Sequence, residues 1–450
     1  MDNSRIRLFT ESNVTAALMK LGLPMVASML VTAIYNVVDT YFVAGLGTEQ
    51  AAAVAVAFPL SLAFSGVGLT FGVGAASYLS RLLGMQEYDE ARKVSSVAAF
   101  TSLGVAAVLV VAAILGLEPV LSFMGASDRT IDLAMQYGRV FVVAAGVSAF
   151  NVAVGNIAVA QGAPTVTLGA MFAGSLLNIV LDPILIYAAG MGVVGAAIAT
   201  LAAQLVTTCI YGWFFLSARA TVPISLRFFR PTAPMYWEII KIGISTLLLQ
   251  LMQSISMSLI SRAAVSYGDE AVAAMGFTLR VVALGVSVVV GYMKGFQPLV
   301  GFNYGAKNVS RVRDAIKSCL AWTTGFCVAF SVLVFAFAPQ IMSFFSTDPE
   351  VLGISTEALR INCLLFFTLG FQYTFATLYI ALGKALVGGL LTVCRQGVMF
   401  IPVILALSAL FGLEGIMWSQ NIADILSTAT TAIFAIWILR KSKDGRLRQP

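Results

Sequence analysis

Apolar runs of about 20 residues recur along this 450-residue chain, separated by short polar or glycine-containing stretches. A hydrocarbon core about 30 Å thick needs a helix of about 20 apolar residues to cross it. The pattern therefore predicts membrane-spanning α-helices. Twelve are expected, at 16–44, 52–80, 94–115, 134–160, 165–188, 193–217, 238–266, 272–304, 315–337, 357–382, 386–410 and 415–440. The runs are too long for barrel strands and lack their dyad alternation. Several exceed the minimum, so tilt or projecting ends are expected. The first has no small-residue cleavage site behind it and is too long for a signal h-region, so it is read as retained.

The pattern also repeats. A shift of 221 positions lays Lys20-Leu21-Gly22 on Lys241-Ile242-Gly243, Gly47 and Glu49 on Gly268 and Glu270, and Gly74, Gly84 and Arg92 on Gly295, Gly305 and Arg313. Arg139 and Gly162 fall on Arg360 and Gly383 in the same register. The expected fold is thus an all-α integral membrane protein of twelve transmembrane helices in two pseudo-symmetric six-helix bundles. Residues 1–218 form the N-terminal bundle, 219–237 a linker, 238–440 the C-terminal bundle and 441–450 a basic tail. Paired repeats about an axis along the membrane normal are a transporter architecture.

Composition agrees: 59% of residues are hydrophobic and 11% charged, with a mean hydropathy of +0.92, against about 25% charged in soluble proteins. The charges sort by side. Arg5, Arg7 and Lys20, then Arg81, Arg92 and Lys93, Arg219, Arg227, Arg230 and Lys241, Lys307, Arg311, Arg313 and Lys317, Lys384, and the tail residues Arg440, Lys441, Lys443, Arg446 and Arg448 flank one set of span ends. Glu49, Glu118, Asp128, Asp132, Asp269, Glu270, Asp348, Glu350 and Glu414 flank the other. The positive-inside rule places both termini and the linker in the cytoplasm, and the expected location is the plasma (inner) membrane. Topology accounts for the net charge of +6. The basic residues are spread over loops, so no nucleic-acid partner is expected. The five cysteines, at 209, 319, 327, 363 and 394, show no metal spacing and read as packing. Histidine is absent, and no nucleophile–base constellation is evident, so the chain is not read as an enzyme.

Charged side chains within a span are costly and usually face a cavity. Two acids stand out in the first half. Asp39 lies inside span 1, with Asn36 at i−3. Asp182 lies inside span 5 on a stripe with Ser175 and Asn178, immediately before Pro183. Proline removes one helical hydrogen bond and frees a carbonyl one turn upstream. Thr200 and Gln204 in span 6, and Asn151, Asn156 and Gln161 in span 4, are further intramembrane polar residues. In the second half Asp39 maps to Ile260, and Pro402 follows Ile401. A site needing two carboxylates is thus expected in the N-terminal half. Structural pairing or snorkelling is the alternative for each acid, and helix knitting for the amides. The second half offers Arg395 and Asp424, either as an internal pair or as cavity residues. Lys294 and Arg280 lie in span 8, with Lys294 expected to reach the cytoplasmic side. On span 7, Gln250, Gln253, Ser254, Met257 and Ser261 share one face, which suits a cavity wall or helix packing alike. Tyr35 and Asn36 of span 1 are added to the candidate substrate cavity with Asn151, Asn156, Gln161, Gln204, Gln253 and Met257.

These residues resemble the multidrug and toxic compound extrusion (MATE) family along essentially the whole chain. The resemblance rests on Val38-Asp39 with the Gly45-Leu46-Gly47 turn and the Ala-rich start of span 2. It rests also on Gly84-Met85-Gln86 before Glu90-Ala91-Arg92, on Asn178 to Pro183, and on Gln297 to Ala306. It implies two bundles around a V-shaped cleft, alternating between outward-open and inward-open states. Drug-like, often cationic compounds then leave against inward H+ or Na+. One subgroup's cation site falls on Asp39, Asn178, Asp182 and Thr200, which would also hold Na+ if sodium is the coupling ion. The other subgroup's acids belong in spans 7 and 8, which hold no midspan acid here. No cofactor beyond H+ or Na+ is expected, and the chain is expected to act as a monomer. A lipid-linked precursor flippase of the same superfamily is the alternative reading, and a channel the alternative from another class.

Overall fold

A computed structural model describes residues 3–124, 130–217 and 219–443; Asp128, Arg446 and Arg448 lie outside them. The described residues form helices α1 (Asn3–Thr10), α2 (Val14–Ala44), α3 (Thr48–Gly84), α4 (Tyr88–Leu115), α5 (Leu117–Phe123), α6 (Ile131–Ala160), α7 (Pro164–Pro183) and α8 (Gly192–Leu216) in the first half. The second half holds α9 (Ala233–Val265), α10 (Asp269–Gly305), α11 (Val309–Ala336), α12 (Ala338–Ser343), α13 (Pro349–Cys363), α14 (Thr368–Ala381), α15 (Ala385–Val393) and α16 (Phe400–Lys443). Ten helices are long and apolar enough to cross a membrane, and α13 with α14, bent by 55°, make an eleventh span. One of the ten is the 56-residue stretch Ala385–Arg440, which as a single helix would measure about 84 Å, far beyond one bilayer. It is two spans, broken at Gly412, whose φ of 62° and ψ of −133° are non-helical. The count is twelve, as expected. Unforeseen were the short α1, α5 and α12, the break between α13 and α14, and α9 starting within the anticipated linker.

The repeat holds at the level of single backbone angles. Gly47 and Gly268 have φ of 119° and 95°, Gly162 and Gly383 76° and 75°, and Gln86 and Lys307 63° and 57°. Each pair is related by the 221-residue shift. Left-handed turns of this kind favour glycine, which is why two of the three pairs are conserved between the halves as glycine.

The other repeated glycines join the halves. A Cβ on Gly305 would lie 2.1 Å from the Arg81 carbonyl oxygen, and one on Gly84 would lie 1.9 Å from that of Phe302. Gly74 meets the Ile239 carbonyl at 2.1 Å and Gly243 that of Thr70 at 1.9 Å. Gly295 rests on Gly22 itself. All lie toward the span ends flanked by basic loops. Hydrogen bonds between the halves gather at this basic end too: Ser77 Oγ to the Ile380 carbonyl at 2.6 Å, Asn303 Nδ2 to the Phe9 carbonyl at 3.2 Å, and Arg311 to the Phe9 carbonyl at 2.7 Å. Arg81 pairs with Glu238 at 3.1 Å, and Glu238 also takes Lys241. One apolar core runs through both halves here, whereas separate cores fill each half toward the acidic end. The halves are sealed together at the basic end. Gly305→Val is expected to lower the unfolding temperature in detergent by several degrees, since overpacking costs about 1–3 kcal/mol. An unchanged unfolding temperature would show that the seal is not close-packed.

The linker is pinned to the first half by Gln161, whose Nε2 donates to the Val222 carbonyl at 3.0 Å and whose Oε1 accepts from the Val222 N–H at 2.9 Å. Gln161, buried to 2%, therefore clamps the linker and does not belong to a substrate cavity.

Candidate functional site

Asp39 and Asp182 meet. The two carboxyls, from α2 and α7, are in hydrogen-bonding contact although 143 positions separate them in sequence. Pro183 ends α7, and a π-helical turn follows over Ile184–Ala188. Such turns re-aim the residues beside them and recur at functional sites. Tyr187 in that turn donates from its hydroxyl to the Phe42 carbonyl at 2.6 Å, tying it to the end of α2. The helix carrying Asp182 is thereby held against the helix carrying Asp39.

Asn178 and Asp182 are fully buried. Asn178 satisfies both neighbours when its amide nitrogen donates to Asp182 Oδ2 at 2.9 Å and its oxygen accepts from the Thr200 N–H at 3.2 Å; this orientation follows from the hydrogen-bond network. The Thr200 hydroxyl donates to the Ala196 carbonyl at 3.0 Å and contacts the Tyr35 hydroxyl. Asp39, Asn178, Asp182 and Thr200 thus form one cluster. Two carboxylates in contact in a low-dielectric site need a positive charge between them. A proton satisfies that requirement with the side chains as placed. Na+, a hard cation that takes oxygen ligands, would find both carboxylates and the Thr200 hydroxyl, but the Asn178 oxygen only after its amide turned away from Thr200. Among the described residues no group of three or more His, Cys, Asp or Glu gathers as a metal centre.

Tyr35, Asn36, Asp39, Asn178 and Thr200 line a cavity of about 710 Å3 in the first half. Asn151, Asn156 and Gln204 line it too. Asn151 donates to the Gln204 carbonyl at 2.8 Å and to its Oε1 at 2.9 Å, and accepts from Thr208 Oγ1 at 2.8 Å. These amides make a polar patch on an otherwise apolar wall. Along α2 the cavity runs from Met25 to Val43, away from the seal.

Three expected cavity residues lie elsewhere. Gln161 holds the linker, Gln253 is half-buried on α9 away from the cavity, and Met257 is 56% exposed. α9 packs on the first half chiefly through α3, and Tyr236 near its start shares a hydrogen bond with Thr101 of α4 at 2.8 Å. Among the aromatic side chains, Tyr35 lines the cavity, while Phe64 and Tyr379 are buried in the cores. Conversely, Lys294 and Arg280 of α10 are part of the cavity wall. Lys294, expected at the cytoplasmic side, lies between Gly291 and Gly295, which pack on Val26 and Gly22 of α2, and lines the cavity there.

The second half has an ion pair at the corresponding place. Arg395 Nε donates to Asp424 Oδ1 at 2.7 Å, with side-chain exposures of 8% and 3%. Gln420 donates to the same oxygen at 3.0 Å, and Gln372 to the Asp424 carbonyl at 3.3 Å. The hydrogen bonds around it repeat those of the first half: Gln372 reaches the Asp424 carbonyl and Thr428, which donates to that carbonyl, as Asn151 reaches the Gln204 carbonyl and Thr208, which donates to that one. Asp424 thus stands where the cavity wall of the first half has the neutral amide of Gln204.

The model of the MatE family matches the chain twice, over residues 24–184 and 242–406. Multidrug export protein MepA of Staphylococcus aureus (strain MRSA252) is 29% identical over 441 residues, covering 98% of this chain and 97% of MepA. MepA of Staphylococcus saprophyticus is 28% identical over the same length. An outward-facing multidrug resistance MATE transporter of the MOP superfamily superposes with a TM-score of 0.92 at 27% identity, covering 98% of each chain. A MATE transporter in complex with MaL6 gives the same score and identity, covering 98% of this chain and 99% of its own. A MOP superfamily transporter of Pyrococcus furiosus, described as having a binding pocket of reverse polarity and a different function, gives 0.91 at 26% identity, covering 97% and 98%.

Proposed function

Because this chain belongs to the MatE family, we propose that it is a secondary active exporter of organic, often cationic and amphiphilic compounds, driven by inward movement of H+ or Na+. It works as a monomer with both termini in the cytoplasm. The observation that carries this reading is the contact of the buried Asp182 with Asp39, which lines a drug-sized cavity. Ligand pockets of about 300–1,000 Å3 are the usual size for such molecules. The multidrug export named for MepA supports the same reading. With the basic end cytoplasmic, the seal closes the inner side, and the described arrangement is an outward-open state.

Arrival of one cation at the carboxyl pair removes one negative charge from the cavity wall. That weakens the hold on a cationic drug and biases the equilibrium between two arrangements of the halves. Pro24, inside α2 and close to the seal, is where that helix can bend. A proton needs only the carboxyl pair, so the geometry favours H+ over Na+.

The test is dye transport by the purified protein in liposomes, with a pH gradient and a Na+ gradient imposed separately. Uptake of a fluorescent cation that follows the pH gradient is expected. Dye movement without any gradient would point to a channel, and accelerated flip of a labelled polyprenyl lipid without dye transport to a flippase.

A further inference from the structure

The cavity of the first half contains two cations supplied by the second. Lys294 lies about 16 Å from the C-terminal end of α10 by helical rise, well inside the span, and no ion pair or hydrogen bond of its ammonium occurs among the described residues. Its helical neighbours Gly291 and Gly295 pack on Val26 and Gly22 of α2, with Cβ positions 2.7 and 2.5 Å from those backbones. The backbone at Lys294 is therefore level with Met25, the first cavity residue on α2, just above the seal. Asp39 is 14 positions further along α2, about 21 Å away. That exceeds the physiological Debye length of about 8 Å, so in a water-filled cavity the carboxyl pair does not serve Lys294 as a counter-ion. Arg280 sits 14 positions before Lys294 on α10, about 21 Å along the helix, and also lines the cavity.

The cavity thus carries charge at both ends, an ammonium at the floor and, toward the mouth, Asp39 backed by Asp182 together with Arg280, with apolar side chains such as Leu62, Val152 and Met171 in its wall. An unpaired intramembrane cation facing a cavity marks a ligand contact. A substrate that is cationic throughout would meet repulsion at the floor.

We infer that Lys294 receives an anionic oxygen group of the substrate, so that the preferred compounds are zwitterionic amphiphiles lying lengthwise, carboxylate on Lys294 and cationic end toward Asp39 and Asp182. This deepens the proposed export function and rests on it. The same anionic chemistry is present on lipid headgroups, and the assignment here is to the small molecule.

The test uses two dyes of one body, tetramethylrhodamine, which carries a free carboxylate, and its methyl ester, which does not. Binding of each to the full chain in phosphatidylcholine nanodiscs is followed by fluorescence anisotropy, with no gradient. The unaltered protein should bind the zwitterion more tightly than the ester. Lys294→Gln should weaken the zwitterion about tenfold, the scale of a charge-assisted hydrogen bond, and tighten the ester by removing a repelling charge. Lys294→Arg should restore the zwitterion. Shifts of the same sign for both dyes, or none, overturn the inference, as does a preference of the unaltered protein for the ester. If Lys294→Gln does not fold, the affinity ratio of the unaltered protein and of Lys294→Arg decides. Loss of zwitterion binding on adding phosphatidylglycerol, absent in Lys294→Arg or unrelated to position 294, also overturns it, in favour of a lipid headgroup. Ester binding and export with no Lys294 dependence removes this inference alone. Binding of neither dye removes it together with the export reading.

Discussion

Asp39→Asn and Asp182→Asn are each expected to abolish gradient-driven export while leaving the protein folded and the dye still bound. The amide keeps the shape of the carboxyl and can hydrogen-bond, but it cannot exchange a proton and has no negative charge to draw Na+ into the site. A cation biases the two arrangements of the halves only through a difference in its affinity for them. With one acid neutralised, the remaining carboxylate has no like charge beside it, and no cation is required for the two side chains to touch. The drive is then lost altogether. The measurement is dye transport into proteoliposomes under a pH gradient and then a Na+ gradient, alongside dye anisotropy without either. Full-rate transport by both variants would sink the assignment. Of the two, Asp182→Asn is also expected to disturb Asn178, because two amides replace a carboxylate accepting from one.

Breaking the ion pair of the second half should cost the most stability. Asp424 is 2% exposed and Arg395 7%, so removing one partner leaves an uncompensated charge in a dry site, at about 3–5 kcal/mol. Arg395→Met or Asp424→Leu alone should therefore lower the detergent unfolding temperature sharply. The double variant should recover most of the loss, since well-packed apolar residues often replace a buried pair at little cost. Equal losses in the single and double variants would mean that the surrounding amides Gln372 and Gln420, and not the pair itself, hold the site. Transport by the double variant is expected to persist, because the pair lies in the half without the cavity.

Much of the fold was legible in the chain. Twelve apolar runs and one register shift suffice for a two-fold bundle of twelve helices. The repeated glycines even marked the seam between the halves, although their spacing did not say that they touch. Asp39 and Asp182 stood out because charge in an apolar run is costly, and their meeting is what that cost leads one to expect. Gln161 misled because an intramembrane amide carries no sign of whether its partner is a ligand or, as here, the Val222 backbone. For Met257 the stripe on α9 showed which residues share a face, but not that this face lies apart from the cavity of the first half.

Hydropathy, helical period and the internal repeat are properties of neighbours along the chain, so the sequence by itself determined the spans, the bundle class and which half holds the acids. The tertiary structure decided what no local pattern encodes. It closed the basic end, placed Lys294 of one half in the cavity wall of the other, and paired Arg395 with Asp424 inside the second half. Those outcomes depend on distances between residues far apart in sequence. Such distances are set by close packing of backbones at a few glycines, and a rotation or shift of one helix by a single residue would change them all.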